Sequence, residues 1–155
     1  MHQKLMEDTF RRLQDELSPV AGIRLSLSPA ECERLFPVME RHHLAYDRRV
    51  SLLAIQTILI QAARRHQECA QGHPELVRAI LDGDYLYSFY LQYALKYQEL
   101  DLVAYLAPHV KKLQIRRAAG ELEEPDWASL FSRYLEKESK AAPPKLANHA
   151  IGQVV

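Results

Sequence analysis

The sequence predicts an all-α helical bundle forming one domain. Three observations point there. Apolar residues recur at helical spacing in segment after segment, no strand-type alternation persists, and glycine is scarce, with 5 in 155 residues. A chain of this length buries roughly 68–70% of its unfolded surface, so it needs no disulfide or metal staple. The domain is expected over residues 1–140, with 141–155 as a flexible tail in which Pro143-Pro144 is followed by small or polar residues.

A first helix is expected over 3–17, where Leu5, Met6, Phe10, Leu13 and Leu17 fall at helical spacing, and Ser18-Pro19 stops it. A loop follows to Leu27. Ser28-Pro29-Ala30-Glu31 reads as a capping box, with Ser28 as N-cap, Pro29 in the first helical position and Glu31 reaching back, opening a helix to about Arg41. Residues 48–69 form a long central helix, interrupted by Gly72-His73-Pro74. A short helix starts at Glu75, Gly83-Asp84 marks a turn or kink, and a further helix covers 84–98. Asp101 is placed to cap a helix over 102–118 with Leu102, Leu106, Val110 and Leu113 as its stripe, kinked at Pro108 and ended by Gly120. Pro125-Asp126-Trp127 opens the last helix, to about Lys137.

Composition narrows the function classes. Lys+Arg and Asp+Glu both number 20. This balance argues against a dedicated nucleic-acid binder and removes the pull toward an anionic membrane. Two cysteines, Cys32 and Cys69, are too few for a secreted disulfide scaffold. The longest uncharged run, Val50 to Ala63, is too short to span a bilayer, and the N-terminus has no apolar signal-peptide core. A cytoplasmic protein is the expectation.

Two helices carry too little polar surface. With Tyr85 at 0° and about 100° per residue, Phe89, Tyr93, Leu86, Tyr97 and Tyr90 fall between about 40° and 140°. Ala94, Tyr87, Leu91 and Leu95 occupy a second face between about 180° and 280°. The Val50–Ala63 run is apolar on several sides and holds no charge. Helices apolar all round must be buried all round. Either both are central in one bundle, or one face of the tyrosine helix meets another chain, a role that tyrosine's large ring and polar tip suit.

Two segments then carry a resemblance. Leu59-Ile60-Gln61-Ala62-Ala63-Arg64-Arg65-His66-Gln67-Glu68 and Ala79-Ile80-Leu81-Asp82-Gly83-Asp84-Tyr85-Leu86 stand in the order and helical context of two motifs of the all-trans polyprenyl diphosphate synthases. The region 51–118 is most similar to the small, non-catalytic component 1 of heteromeric heptaprenyl and hexaprenyl diphosphate synthases. The resemblance implies a reduced isoprenoid-synthase fold. The departures matter more. The family's Asp-Asp-x-x-Asp is degenerate here, with Gln67, Glu68 and Gln71 among the matching positions, so that one glutamate stands where magnesium requires several oxygens. No Arg-Arg-Gly loop follows, and the nearest second acidic motif, Glu123-Glu124-Pro125-Asp126-Trp127, reads as an acidic helix start.

The resemblance therefore implies a regulatory subunit that binds no cofactor and has no catalytic or metal residue of its own. Its catalytic partner would hold magnesium, the allylic primer and isopentenyl diphosphate. The expected interface is Tyr85, Leu86, Phe89, Tyr90, Tyr93 and Tyr97 with Ile55 and Leu59. Ala62 and Ala63 match positions that limit product length in catalytic members, and so are possible tunnel-facing residues. The pathway implied is isoprenoid-quinone (menaquinone-type) side-chain synthesis. The alternative is a helical interaction module or homodimeric adaptor unrelated to prenyl transfer.

Other constellations read more simply. His66, Cys69 and His73 share helical spacing, but Gly72 intervenes and no fourth ligand follows, so a solvated helix end is expected. Lys111-Lys112 and Arg116-Arg117 read as a solvated face near a helix C-terminus.

Overall fold

The computed structural model describes residues 1–70, 74–121 and 123–141. Among these lie six α-helices and no strand: α1 (His2–Glu16), α2 (Pro29–Arg41), α3 (Tyr46–Ala70), α4 (Leu76–Lys96), α5 (Leu100–Ala118) and α6 (Trp127–Ala141), with a 3-10 turn at Pro19–Ala21. Among the described residues no helix is long and apolar enough to cross a membrane. The tail from 142 onward lies outside the described residues.

The uncharged run of α3 explains the architecture. From Val50 to Ala63 every residue except Gln61 is buried, so α3 is the axis around which α1, α2 and α4 pack, while α5 and α6 close the bundle beside α4 and α2. Thr57 Oγ1 donates to the Leu53 carbonyl at 2.8 Å, and Gln56 Nε2 reaches the Glu31 carbonyl of α2 at 3.2 Å, while Gln56 Oε1 finds no partner among the described residues. At the start of α3, Arg48 donates to the buried Glu99 at 2.7 Å and to Glu138 at 2.7 Å, joining α3 to the α4–α5 turn and to the end of α6.

Several boundaries differ from the sequence expectation. The predicted break at Gly83-Asp84 is absent: α4 runs unbroken through it, and Asp84 caps nothing. Gly83 serves a close approach instead. A Cβ there would lie 2.1 Å from His66 Cδ2 and 2.3 Å from its Nε2, so the missing side chain is the space that the α3 imidazole fills. Ser28 is the N-cap of α2 and Pro29 its first residue, but no capping hydrogen bond forms, and the Glu31 carboxylate turns to Arg64. The N-cap of α5 is Glu99, which places Asp101 inside the first turn. Asp126 does cap α6: Oδ1 accepts from the Ser129 N–H at 3.2 Å, and Oδ2 from the Ser129 hydroxyl at 2.9 Å.

Three helices end in the same way. After α5, Gly120 takes φ +87°, its N–H bonds the Arg117 carbonyl, and the Glu121 N–H bonds the Arg116 carbonyl, the paired bonds of a Schellman cap. His43 (φ 50°) after α2 and Gln98 (φ 60°) after α4 repeat this geometry without glycine.

Candidate interaction face

The buried residues of α4 are Ala79, Asp82, Gly83, Leu86, Phe89, Tyr90, Tyr93 and Ala94, one line at heptad-like spacing. This corrects the expected interface. Leu86, Phe89, Tyr90 and Tyr93 are at most 4% exposed, and Ile55 and Leu59 are fully buried, all within this chain's own core. They are not available to a partner in this fold. Tyr85 and Tyr97 are half-buried against the α1 side: the Ser18 N–H donates to the Tyr85 hydroxyl at 3.3 Å, and the Tyr97 hydroxyl donates to Glu16 at 2.8 Å. The aromatic chain is continuous, with Tyr85, Phe89, Tyr93 and Tyr97 in successive ring contact.

Burial sets the electrostatics of these rings. It pushes the Tyr93 hydroxyl up to about 12. The Tyr97 hydroxyl also reaches about 12, through burial and the neighbouring Glu16 carboxylate. Tyr90 is raised by burial as well. Among the described residues the buried Tyr90 and Tyr93 hydroxyls find no hydrogen-bond partner, although Arg12 and Ser51 lie beside Tyr93. Such groups carry a desolvation cost, borne here inside the core, where Tyr90 and Tyr93 are 3% and 2% exposed.

The opposite side of α4 is the unexpected one. Val77 (70% exposed), Ile80 (41%), Leu81 (59%), Leu91 (50%) and Leu95 (61%) point outward. At 100° per residue they lie within about 60° of the Val77–Leu95 line, with only Asp84, Ser88 and Gln92 among them. The stripe is about 27 Å long at 1.5 Å per residue.

α5 widens this face. It follows α4 after a three-residue turn and packs alongside it. Tyr87 marks the α5 side of α4, since the Arg117 guanidinium lies beside its hydroxyl. Going outward from there, α4 presents Ile80 and Leu91, and α5 presents the exposed Ala107, Leu100, Ala104 and Ala118, with Lys111 and Gln114. Among the described residues nothing covers these two adjacent faces, an aliphatic one on α4 and a small-residue one on α5 that Lys111 and Gln114 interrupt. Apolar periodicity alone is blind to which of α4's two faces turns inward. The small residues Ala79, Gly83 and Ala94 along the buried line are the available signal, because helices approach closely where side chains are small.

The degenerate acidic motif lies at the end of α3. Glu68 pairs with Arg65, whose Nη2 also donates to Asp82 at 2.8 Å. Arg78 Nε donates to the other Asp82 oxygen at 2.7 Å, and its Nη2 to the carbonyls of Ala21 at 2.8 Å and Gly22 at 3.2 Å. The carboxylates near this helix end are thus engaged by guanidinium groups, an arrangement that competes with a cation for the same oxygens. Gln67 is half-buried, while Gln71 and His73 lie outside the described residues. Among the described residues no three His, Cys, Asp or Glu side chains converge as metal ligands. Ala62 and Ala63 are 0% and 1% exposed and packed in the core, so neither lines an open channel in this chain.

No protein-family profile, curated protein or solved structure matches this chain.

Proposed function

We propose that this chain is the non-catalytic regulatory subunit of a two-component trans-polyprenyl diphosphate synthase of heptaprenyl or hexaprenyl type. It docks on a catalytic subunit that supplies magnesium, the allylic primer and isopentenyl diphosphate. The observation that carries the reading is the outward face of α4. The helix that bears Gly83-Asp84-Tyr85-Leu86, a segment resembling the synthases, exposes Val77, Leu81, Leu91 and Leu95 while its tyrosines fill the core. Covering such a face stabilises an assembly by roughly 25 cal/mol per Å² of apolar surface removed from water. The pairing of Glu68 and Asp82 with Arg65 and Arg78 supports a division of labour in which the cation is held by the other subunit.

The mechanism is packing. Each added isoprene unit contributes several carbons, each worth about 0.8 kcal/mol when buried. A lengthening product therefore needs a dry tunnel, and the docked subunit helps to keep the catalytic subunit's tunnel closed to water and of defined length. Quinone side-chain synthesis is the process that this product class serves. Because Ala62 and Ala63 are packed inside the core, any influence on product length runs through the docked α4–α5 face.

The test is co-expression with a catalytic trans-prenyl synthase from the same source. The expected result is a heteromer that makes longer product than the synthase alone, and that Leu81→Glu disrupts while the free chain stays helical. A synthase that makes full-length product alone and never co-purifies with this chain refutes the reading.

A further inference from the structure

We infer that the α4 face also closes on a second copy of this chain, in an antiparallel two-fold pairing of α4 with α4. A two-fold contact requires that residue i meet residue j and residue j meet residue i, so only a self-complementary surface can form one. The outward stripe has this property. Taken about a centre level with Leu86, Val77 falls opposite Leu95, Leu81 opposite Leu91, Ile80 opposite Gln92, and Asp84 opposite Ser88. Apolar residues meet apolar ones at 77–95 and 81–91, Ile80 lies against the aliphatic stem of Gln92, and a carboxylate meets a hydroxyl that can donate to it. A parallel, in-register pairing would instead set Asp84 against Asp84.

The charge pattern agrees. On α4 Asp84 is the stripe's single charged residue, its side chain 66% exposed, with His66 Nε2 of its own chain at 3.0 Å, and Lys111 is the charge on the α5 flank. In the antiparallel pairing the two Asp84 carboxylates are offset along the axis by about four residues, roughly 6 Å. Each is left facing one Ser88. The two-fold operation also brings the α5 flank of one copy onto the α5 flank of the other.

The area suffices for a modest dimer. A stripe about 27 Å long on two helices, each about 10 Å wide, covers on the order of 540 Å² per chain. The total of about 1,100 Å² clears the roughly 1,000 Å² of a specific interface and lies well below that of obligate dimers. An interface of this size is that of a reversible dimer and not of an obligate one. It occupies the face assigned above to the catalytic subunit, so self-pairing and heteromer assembly compete. That competition rests on the proposed function, whereas the self-pairing does not.

Sedimentation of the isolated full chain over about 1–200 μM tests the dimer. Oxidative cross-linking tests its register: a Val77→Cys chain is mixed with a Leu95→Cys chain, both carrying Cys69→Ser. The expected result is a concentration-dependent dimer, a disulfide in the mixture far exceeding that in either chain alone, and a Kd raised at least about 100-fold by Leu95→Glu. A monomer throughout, or a dimer indifferent to Leu95→Glu and uncross-linked in the mixture, overturns the inference. Adding the catalytic synthase should abolish the 77–95 cross-link. If the cross-link forms and no heteromer does, the self-pairing stands and the proposed function falls. If a heteromer forms and the isolated chain never pairs, the inference falls and the proposed function stands.

Discussion

Substituting Gly83 probes the contact that sets the spacing of α3 and α4. Glycine inside an exposed helix is ordinarily improved by alanine, by about 1 kcal/mol. Here the added Cβ would lie 2.1–2.9 Å from three atoms of the His66 ring. That imidazole is 20% exposed, pairs with Asp84 and lies 5.4 Å from the Tyr87 ring, so it moves only by giving up both contacts. Overpacking costs about 1–3 kcal/mol, and a value near 2 is reasonable because the obstruction is a side chain and not backbone. Against the propensity gain, Gly83→Ala should lower stability by about 1 kcal/mol. In a His66→Ala background the obstruction is gone, and the same substitution should raise stability by about 1 kcal/mol. The coupling is then about 2 kcal/mol, well above the few tenths found for independent sites. Urea unfolding of the four proteins, followed by far-ultraviolet circular dichroism, measures it through the midpoint and slope. If Gly83→Ala stabilises both backgrounds equally, the close approach is absent and the reasoning fails.

Three further outcomes are expected. Tyr93→Asp should cost the native helical signal, because it places a carboxylate in a site only 2% exposed, whereas Leu95→Asp, two residues on but 61% exposed, should stay within about 0.5 kcal/mol of the wild type in a urea titration; equal losses would contradict the assignment of the two faces. Asp82→Ala leaves Arg65 and Arg78 without their shared carboxylate and should lower stability by about 2–3 kcal/mol, less than a fully buried pair because the Arg78 side chain is 49% exposed; a loss under about 0.5 kcal/mol would show that the bridge is not formed. Tyr93 and Tyr97 have folded-state values raised to about 12 from an ordinary 10.0, so their contribution to stability is complete below pH 10 and is lost as pH rises from 10 to 12. Tyrosinate absorbance should therefore rise together with loss of helix in that window, and full ionisation near pH 10 with the helices intact would refute the burial argument.

The features legible in the sequence were those with a local cause. The Val50–Ala63 run lacks charge and so had to be central, and the glycine at 120 stands where the chain must adopt positive φ. The caps at His43 and Gln98 were not legible, because the same left-handed conformation is held there by residues that give no such signal, at a cost on the order of 1 kcal/mol each. The expected break at Gly83 failed for a related reason: glycine marks either a turn or a close approach, and only the position of His66, seventeen residues earlier, decides between them.

The sorting of α4 is the deeper case. Periodicity establishes that this helix is apolar on two sides, and composition favours tyrosine for an interface. The packing against α3 reverses that preference. A central helix built from Leu, Ile and Ala needs neighbours that approach closely at Ala79, Gly83 and Ala94 and fill the remaining gaps with large flat rings, and Phe89, Tyr90 and Tyr93 do so. The aliphatic residues left over, Val77, Leu81, Leu91 and Leu95, stay exposed among the described residues because α5 and the α1 side already flank α4. Their exposure follows from the same fit that buries the tyrosines. A variant that frees the aromatic face must therefore disrupt the core, whereas one on the aliphatic stripe alters only what the chain assembles with.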